Sequence, residues 1–233
     1  MSFAYSLVIP AYNAAATIGE TIASAMAQTV PPREIIVVDD GSTDATAAVA
    51  GEASGPIVVV RRENSGPGGA TTAGMRRVTQ PFFATLDADD LWLPHKIARQ
   101  AMEFERDRDV AGVFTLARMF HDGTAPDPEG PGAVIRLWTR TTLLFSTEAA
   151  QAVGDFGELP GRIGEVIDWL SRSRDLGQRH VMVEEILALR RIRPGSLSYG
   201  LNAEQKRGYL LAVHDAMQRR KQRLAEAAAK PAV

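Results

Sequence analysis

Four short, almost wholly apolar runs, each followed by a helix-length segment, confine this chain to a small set of folds. Ser6 to Pro10 (SLVIP), Glu34 to Val38 (EIIVV), Ile57 to Val60 (IVVV) and Phe82 to Leu86 (FFATL) carry too few polar residues to face water on one side. Such runs suit strands buried on both faces of a parallel sheet. Between and after them, Thr17 to Gln28, Ser42 to Glu52, Ala70 to Arg77 and Pro94 to Arg106 read as helices. Thr17 and Glu20 have capping-box spacing, Pro31-Pro32 stops the first helix, and Ser42, Thr43 or Asp44 can cap the second. Pro94 suits the first turn of the fourth. The rhythm β-α-β-α-β-α-β predicts an open, doubly wound α/β sheet with right-handed crossovers. Buried strands need apolar residues to cover them, and at 45% of 233 residues the chain has enough.

From Val110 the rhythm weakens. His121 to Gly132 (HDGTAPDPEGPG) reads as a long loop, Arg162 to Leu176 as a helix, and the stretches near Val181 and from Ile186 to Ile192 as short strands. Ala203 to Lys230 is a long alanine- and arginine-rich helix, expected to fray over Ala227 to Val233. The expected division is one domain over residues 1–200, with halves at 1–110 and 111–200, and a basic amphipathic helix over 201–233. Twenty-six basic against 28 acidic residues leave a net charge of −2, which argues against a nucleic-acid partner. With no cysteine there is no disulfide frame, thiolate zinc site or cysteine nucleophile. Apolar stretches fall well short of the ~20 residues a membrane span needs. No basic segment precedes an apolar block at the N-terminus, so a cytoplasmic protein is the expectation.

In open α/β sheets ligands sit beyond the carboxyl ends of the strands. Polar residues gather at three such ends: Tyr12-Asn13, Asp39-Asp40-Gly41-Ser42 and Asp87-Ala88-Asp89-Asp90. Alternation along a strand would put Asp87 and Asp89 on one side. Carboxylates that close call for a cation, and hard oxygen ligands suit Mg2+ or Mn2+ together with phosphate oxygens. Asp90 can join them or cap the following helix. Asp39 or Asp40 can accept from a nucleobase N–H or a ribose hydroxyl, and the Tyr12 ring offers a stacking face. Asn64 to Ala70 (NSGPGGA) is a Gly-rich loop entering a helix, where amides can meet phosphate. Known phosphate fingerprints fail nonetheless. Thr71 stands where a dinucleotide motif wants its closing glycine, and Met75 where a P-loop wants lysine. His-Glu-x-x-His and Gly-x-Ser-x-Gly are both missing.

Val8-Ile9-Pro10-Ala11-Tyr12-Asn13, Val37-Val38-Asp39-Asp40-Gly41-Ser42-Thr43-Asp44 and Leu86-Asp87-Ala88-Asp89-Asp90, in that order and spacing, resemble family 2 glycosyltransferases of the GT-A fold. The likeness is close over residues 5–105 and looser through Gly164 to Leu170 and Arg190 to Arg193. It implies inverting transfer of a sugar from a nucleotide-sugar, usually a UDP-sugar, with a divalent metal. The donor would then lie in the first half of the domain and the acceptor in the second. On that likeness Pro10, Ala11, Tyr12, Asp39 and Asp40 hold the nucleoside, Gly66, Gly69 and Thr71 line the donor, and the Asp89 region contacts ribose. Asp87, Asp89 and Asp90 are the metal-ligand candidates. A carboxylate on a later helix would deprotonate the acceptor hydroxyl: Glu165 first, Asp168 second.

Three departures from the family's usual pattern stand out. Thr71-Thr72 replaces Arg-Asn, Glu165-Val166 replaces Glu-Asp, and Arg193 stands where relatives often carry histidine. Arg190, Arg191 and Arg193 can contact a diphosphate. The acceptor is open: a glycan, a lipid-linked carrier or a small molecule. Lys206, Arg207, Arg219, Arg220, Lys221 and Arg223, set among apolar residues of the 203–230 helix, suit the domain's own surface, a second subunit or an anionic membrane face. Two rivals compete with this reading. A nucleotidyltransferase would want a basic Gly-rich N-terminal loop, and residues 10–20 contain no lysine or arginine. A non-catalytic nucleotide-sugar binder would explain the departures. A glycoside hydrolase is disfavoured, since its paired carboxylates need no nucleotide cleft.

Overall fold

Every residue from Tyr5 to Ala11 is buried, and this run forms the central strand β1 (Tyr5–Ala11) of a computed structural model that describes residues 3–157, 159–194, 196, 199 and 203–229. On one side of β1 lies β2 (Glu34–Asp39), parallel to it, and beyond that β3 (Ile57–Arg61). On the other lies β4 (Phe82–Thr85), also parallel. Helices α1 (Ile18–Met26), α2 (Thr46–Glu52) and α3 (Pro67–Met75) fill the crossovers. This is the doubly wound half that the apolar runs predict.

The sheet then continues as a mixed one. Its order is β3-β2-β1-β4-β8-β6-β9-β5, where β5 is Leu91–Trp92, β6 Val110–His121, β8 Leu144–Ser146 and β9 Arg179–Ile192. A short β7 (Val134–Ile135) pairs with β6, and β8 joins β4 antiparallel. One face carries α1 and α4 (Lys96–Arg106), with Ile18, Ile22, Ile97 and Phe104 packed against Leu7, Ile9, Ile35 and Val37. The other face buries Val8, Phe83 and Phe145 under α5 (Thr147–Val153) and α6 (Glu165–Asp175), whose Trp169 stacks on Phe156. This is the GT-A architecture that the motifs imply.

Several boundaries differ from expectation, for local reasons. The strands expected at Val181 and Ile186 are one strand, β9. Its apparent break is a shift of register, since Thr115 pairs with Val183 and Leu116 with Ile186. Thr17 does not cap α1; its hydroxyl donates to the Ala88 carbonyl at 2.9 Å. Helix α6 starts at Glu165, because Arg162 and Gly164 sit at φ 57° and 97°. The long helix α7 (Ala203–Ala229) packs on the domain, with Gly208 against Pro160 and Ile163 and Ala212 against Gly164 just before α6, the packing that its composition allows. Ala227 to Ala229 are helical, and 230–233 lie outside the described residues. Among the described residues no helix is long and apolar enough to cross a membrane.

Candidate active site

The loops after β1, β2 and β3 are stitched together at the carboxyl edge of the sheet. Asn13, at φ 48°, donates its amide to Ser42 Oγ at 2.9 Å and accepts from the Thr43 amide at 2.9 Å. Ala14 and Ala15 donate to Thr46 Oγ1 and Asp44. Asp39 accepts from the Ser42 amide at 3.0 Å and lies 3.9 Å from Arg61. Asp40 is engaged more fully. It accepts from the Ser65 amide at 3.1 Å, the Gly66 amide at 2.7 Å and, at 3.3 Å, faces Arg62 Nε. Gly41 permits this approach: its φ is 78°, and an added Cβ would lie 3.0 Å from the Asn64 nitrogen. Asp40 is therefore the anchor of the Gly-rich loop, and the Ser65 and Gly66 amides, expected to meet phosphate, point to its carboxylate.

Pro10 and Ala11 end β1, with the Ala11 carbonyl bonded to the Asp40 amide at 2.9 Å, while the Tyr12 ring stands half exposed beside these loops. The Gly69 carbonyl accepts from Arg62. Thr71 is buried and donates to the Pro67 carbonyl at 2.7 Å. Thr72 accepts from the Phe156 amide at 2.9 Å. The two threonines at the Arg-Asn position thus serve packing.

Asp87 to Asp90 form a turn rather than a strand: β4 ends at Thr85, and the Asp90 amide donates to the Asp87 carbonyl at 3.1 Å. Reversal of the chain, not pleat alternation, gathers these acids. Thr17 and Thr21 hydroxyls hold the turn from behind through the Ala88 and Asp90 carbonyls. Asp87 accepts from Arg140 Nε at 2.6 Å, and Asp89 from Arg193 Nε at 3.1 Å. Asp90 is buried, with its oxygens on the Arg191 amide at 2.8 Å and the Thr141 hydroxyl. It does not cap α4, which His95 precedes without any side-chain cap. Burial, then the neighbouring carboxylates, raise the pKa of Asp89 and, more strongly, of Asp90. Arg191 is almost fully covered. It lies over Phe120, pairs with Glu20 at 2.5 Å and Asp122 at 2.9 Å, and donates to the Asp89 carbonyl at 2.9 Å. In this arrangement Arg191 braces the acid turn and holds no open face toward a diphosphate.

Glu165 opens α6 and meets the acid turn through a residue that no motif marks. Arg140, in a short turn over Arg140–Thr142, donates Nε to Asp87 and Nη1 to Glu165. Burial works against its charge, but Asp87 and then Glu165 outweigh that and raise its pKa further. The sequence gives no signal for Arg140, which stands among Thr139, Thr141 and Thr142 just before Leu143-Leu144-Phe145. Asp168, one turn beyond Glu165, faces elsewhere, to Arg172 at 3.0 Å and Arg219 of α7 at 2.8 Å. The i, i+3 pair therefore splits: Glu165 faces the acid turn, and Asp168 fastens α7.

Asp87 and Asp89 offer two hard carboxylates in one turn, and each raises the need for positive charge at the other. That donor set fits Mg2+ or Mn2+ in kind. Among the described residues no three His, Cys, Asp or Glu side chains gather around one point. Water and phosphate oxygens would have to complete such a shell, as is usual for these ions.

The mixed sheet, with its parallel half and strand-edge acids, matches the α/β architecture of the GT-A class. The chain belongs to glycosyl transferase family 2, whose model matches residues 6–153. The succinoglycan biosynthesis protein ExoO of Rhizobium meliloti is 41% identical over 110 residues, 46% of this chain and 30% of that protein. Staphylococcus aureus TarS 1–349, solved with UDP-GlcNAc, superposes with a TM-score of 0.70 at 18% identity, over 93% of this chain and 66% of that one. The mannosyltransferase PcManGT of Pyrobaculum calidifontis, solved with GDP-Man and Mn2+, gives 0.65 at 17% identity, over 98% and 76%. The chain spans about a third of the length of the first curated relatives it matches.

Proposed function

We propose that the chain is an inverting glycosyltransferase that moves a sugar from a nucleotide-sugar, a UDP-sugar in the first instance, to a hydroxyl acceptor with Mg2+ or Mn2+. The observation that carries this reading is Arg140, which joins an acid of the strand-edge turn to an acid on the opposite helix. Those two carboxylates suit the two ends of a displacement, leaving group and nucleophile. The UDP-GlcNAc held by TarS and the GDP-Man and Mn2+ held by PcManGT support a nucleotide-sugar donor and a divalent ion for this chain.

Tyr12 would stack on the base, and Asp39 would accept from a base N–H or a ribose hydroxyl. Asp40 acts from behind, by fixing the Ser65–Gly66 backbone. A divalent ion bound by Asp87 and Asp89 would supply positive charge for the departing diphosphate. Glu165 takes the acceptor hydroxyl's proton as that oxygen attacks the anomeric carbon from the face opposite the diphosphate. The bond from that carbon to phosphate oxygen breaks, its electron pair leaves with the diphosphate, and the anomeric configuration inverts. Arg140 donates to Glu165 and so fixes where its carboxylate points. Asp168 is not assigned as base, because its two oxygens are bonded to Arg172 and Arg219.

A thermal-shift panel of UDP-, GDP- and dTDP-sugars with and without Mn2+ tests the donor, since a ligand that binds only the folded form raises its melting temperature. A shift with one nucleotide is expected; no shift with any of them overturns the reading. Glu165→Gln should lower transfer by about 10^2–10^4-fold while donor affinity stays put. Unchanged transfer would remove Glu165 from the role.

A further inference from the structure

We infer that Arg193 competes with the metal for Asp89, so that a divalent ion and a nucleotide diphosphate bind to this chain as a pair and not one at a time. The inference rests on the donor reading above. It starts from an ion pair: Arg193 Nε lies 3.1 Å from Asp89 Oδ2, with side-chain exposures of 26% and 20%. Through a ring nitrogen, a neutral histidine at this place could ligate a cation. An arginine has no lone pair to offer and does not lose its proton, so here the same position repels one. The second candidate ligand, Asp87, is held at 2.6 Å by Arg140, which also holds Glu165 and is 13% exposed. Asp90, the third acid of the turn, has both oxygens on Arg191 and Thr141.

Asp87 and Asp89 are thus each already held by a guanidinium group, Arg140 and Arg193, which a lone dication would have to displace. Of the two guanidinium groups, Arg193 is the more exposed and stands just past the end of β9, whereas Arg140 is tied to both Asp87 and Glu165. A diphosphate changes the balance. Its oxygens satisfy both the ion and the displaced Arg193, so each ligand favours the other by the same factor.

Binding of Mn2+ alone, followed by the electron paramagnetic resonance of the free ion, tests this without any turnover. Arg193→Gln should tighten Mn2+ binding by about tenfold and shrink the further gain that UDP gives the native chain, within the range usual for coupled sites. Arg193→Lys, which keeps the charge, should behave as the native chain, whereas a merely structural role would make both variants alike. Arg193→His serves as a second variant if the glutamine form does not fold, and should tighten Mn2+ at least as much. Equal Mn2+ affinity in the native, Gln and His forms overturns the inference. A native chain that binds neither UDP nor GDP with Mn2+ present, by calorimetry, overturns the donor reading instead, and the Mn2+-only comparison still judges Arg193.

Discussion

The two halves of the site hold their carboxylates by different means. In the first half, Asp39, Asp40 and Asp44 are held largely by backbone amides a few residues away or one loop across: Ser42, Ser65, Gly66, Ala15 and Thr46. In the second, Asp87, Asp89, Glu165 and Asp168 are held by guanidinium groups of Arg140, Arg193, Arg172 and Arg219. An amide is fixed by the path of the chain and carries no net charge. A guanidinium arrives on a long side chain, brings a full charge, and can be exchanged for another cation. The first arrangement suits a rigid cradle; the second suits a place where charge must be rearranged as ligands come and go.

The sharpest way to break this contrast is to remove Arg140. Arg140→Ala leaves the buried Glu165 and the partly covered Asp87 without their cation, and breaking a buried pair in this way costs up to about 3–5 kcal/mol. We expect both a large drop in urea midpoint and loss of transfer. Recovery of stability but not of transfer by Arg140→Lys, which keeps the charge without the planar fork that reaches both acids, would show that the guanidinium geometry serves chemistry beyond folding. The matching change in the first half is Asp40→Ala. It strands the Ser65 and Gly66 amides, and at about 1.5–3 kcal/mol for bonds to a charged acceptor it should be the milder lesion. Its cost should scarcely change between low and high salt, because amide bonds of a buried carboxylate are not screened as exposed ion pairs are.

What the sequence discloses follows the same division. Asp39, Asp40 and Gly41 lie next to one another in the chain, and the φ of 78° at Gly41 follows from local turn geometry, so these residues read directly as a motif. Asp87, Asp89 and Asp90 are legible as a cluster, but the turn that gathers them is not, because an apolar run gives no sign of where its strand ends. Arg140 was not legible. Its partners lie 53 and 25 residues away, and nothing local tells which cation crosses the sheet to reach them. For the same reason the sequence offers Glu165 and Asp168 as rival bases without showing their partners, Arg140 and Arg219. The apolar rhythm disclosed the parallel half of the fold but not β6 or β8, because pairing in the mixed half follows no single period.

Acid sensitivity should also reside in the second half. Burial, and then Arg174, lower the pKa of His180 to about 4, and its ring packs among Phe114, Trp138 and Phe145. A folded-state value below the unfolded one means that the unfolded chain takes up the proton first. The contribution is therefore complete above about pH 6.5 and is lost as pH falls toward 4. Allowing for partial exposure, about 1–2 kcal/mol should disappear across that window. His180→Phe should flatten this part of a stability-pH profile measured by urea unfolding; an unchanged slope would place the titrating group elsewhere.

The smallest effect belongs to the clasp between α6 and α7. Arg219 meets Asp168 at 2.8 Å and Asp175 at 3.1 Å, with its own side chain 32% exposed. Solvent-exposed pairs of this kind contribute about 0.2–1 kcal/mol, and salt weakens them further. Arg219→Ala should accordingly lower the melting temperature by a degree or two at low ionic strength and by less in molar salt. Transfer should persist, since Asp168 is set apart from the line of Asp87, Arg140 and Glu165. If transfer fell as steeply as with Glu165→Gln, the clasp would be part of the chemistry, and the separation of the two α6 carboxylates into a reacting one and a fastening one would fail.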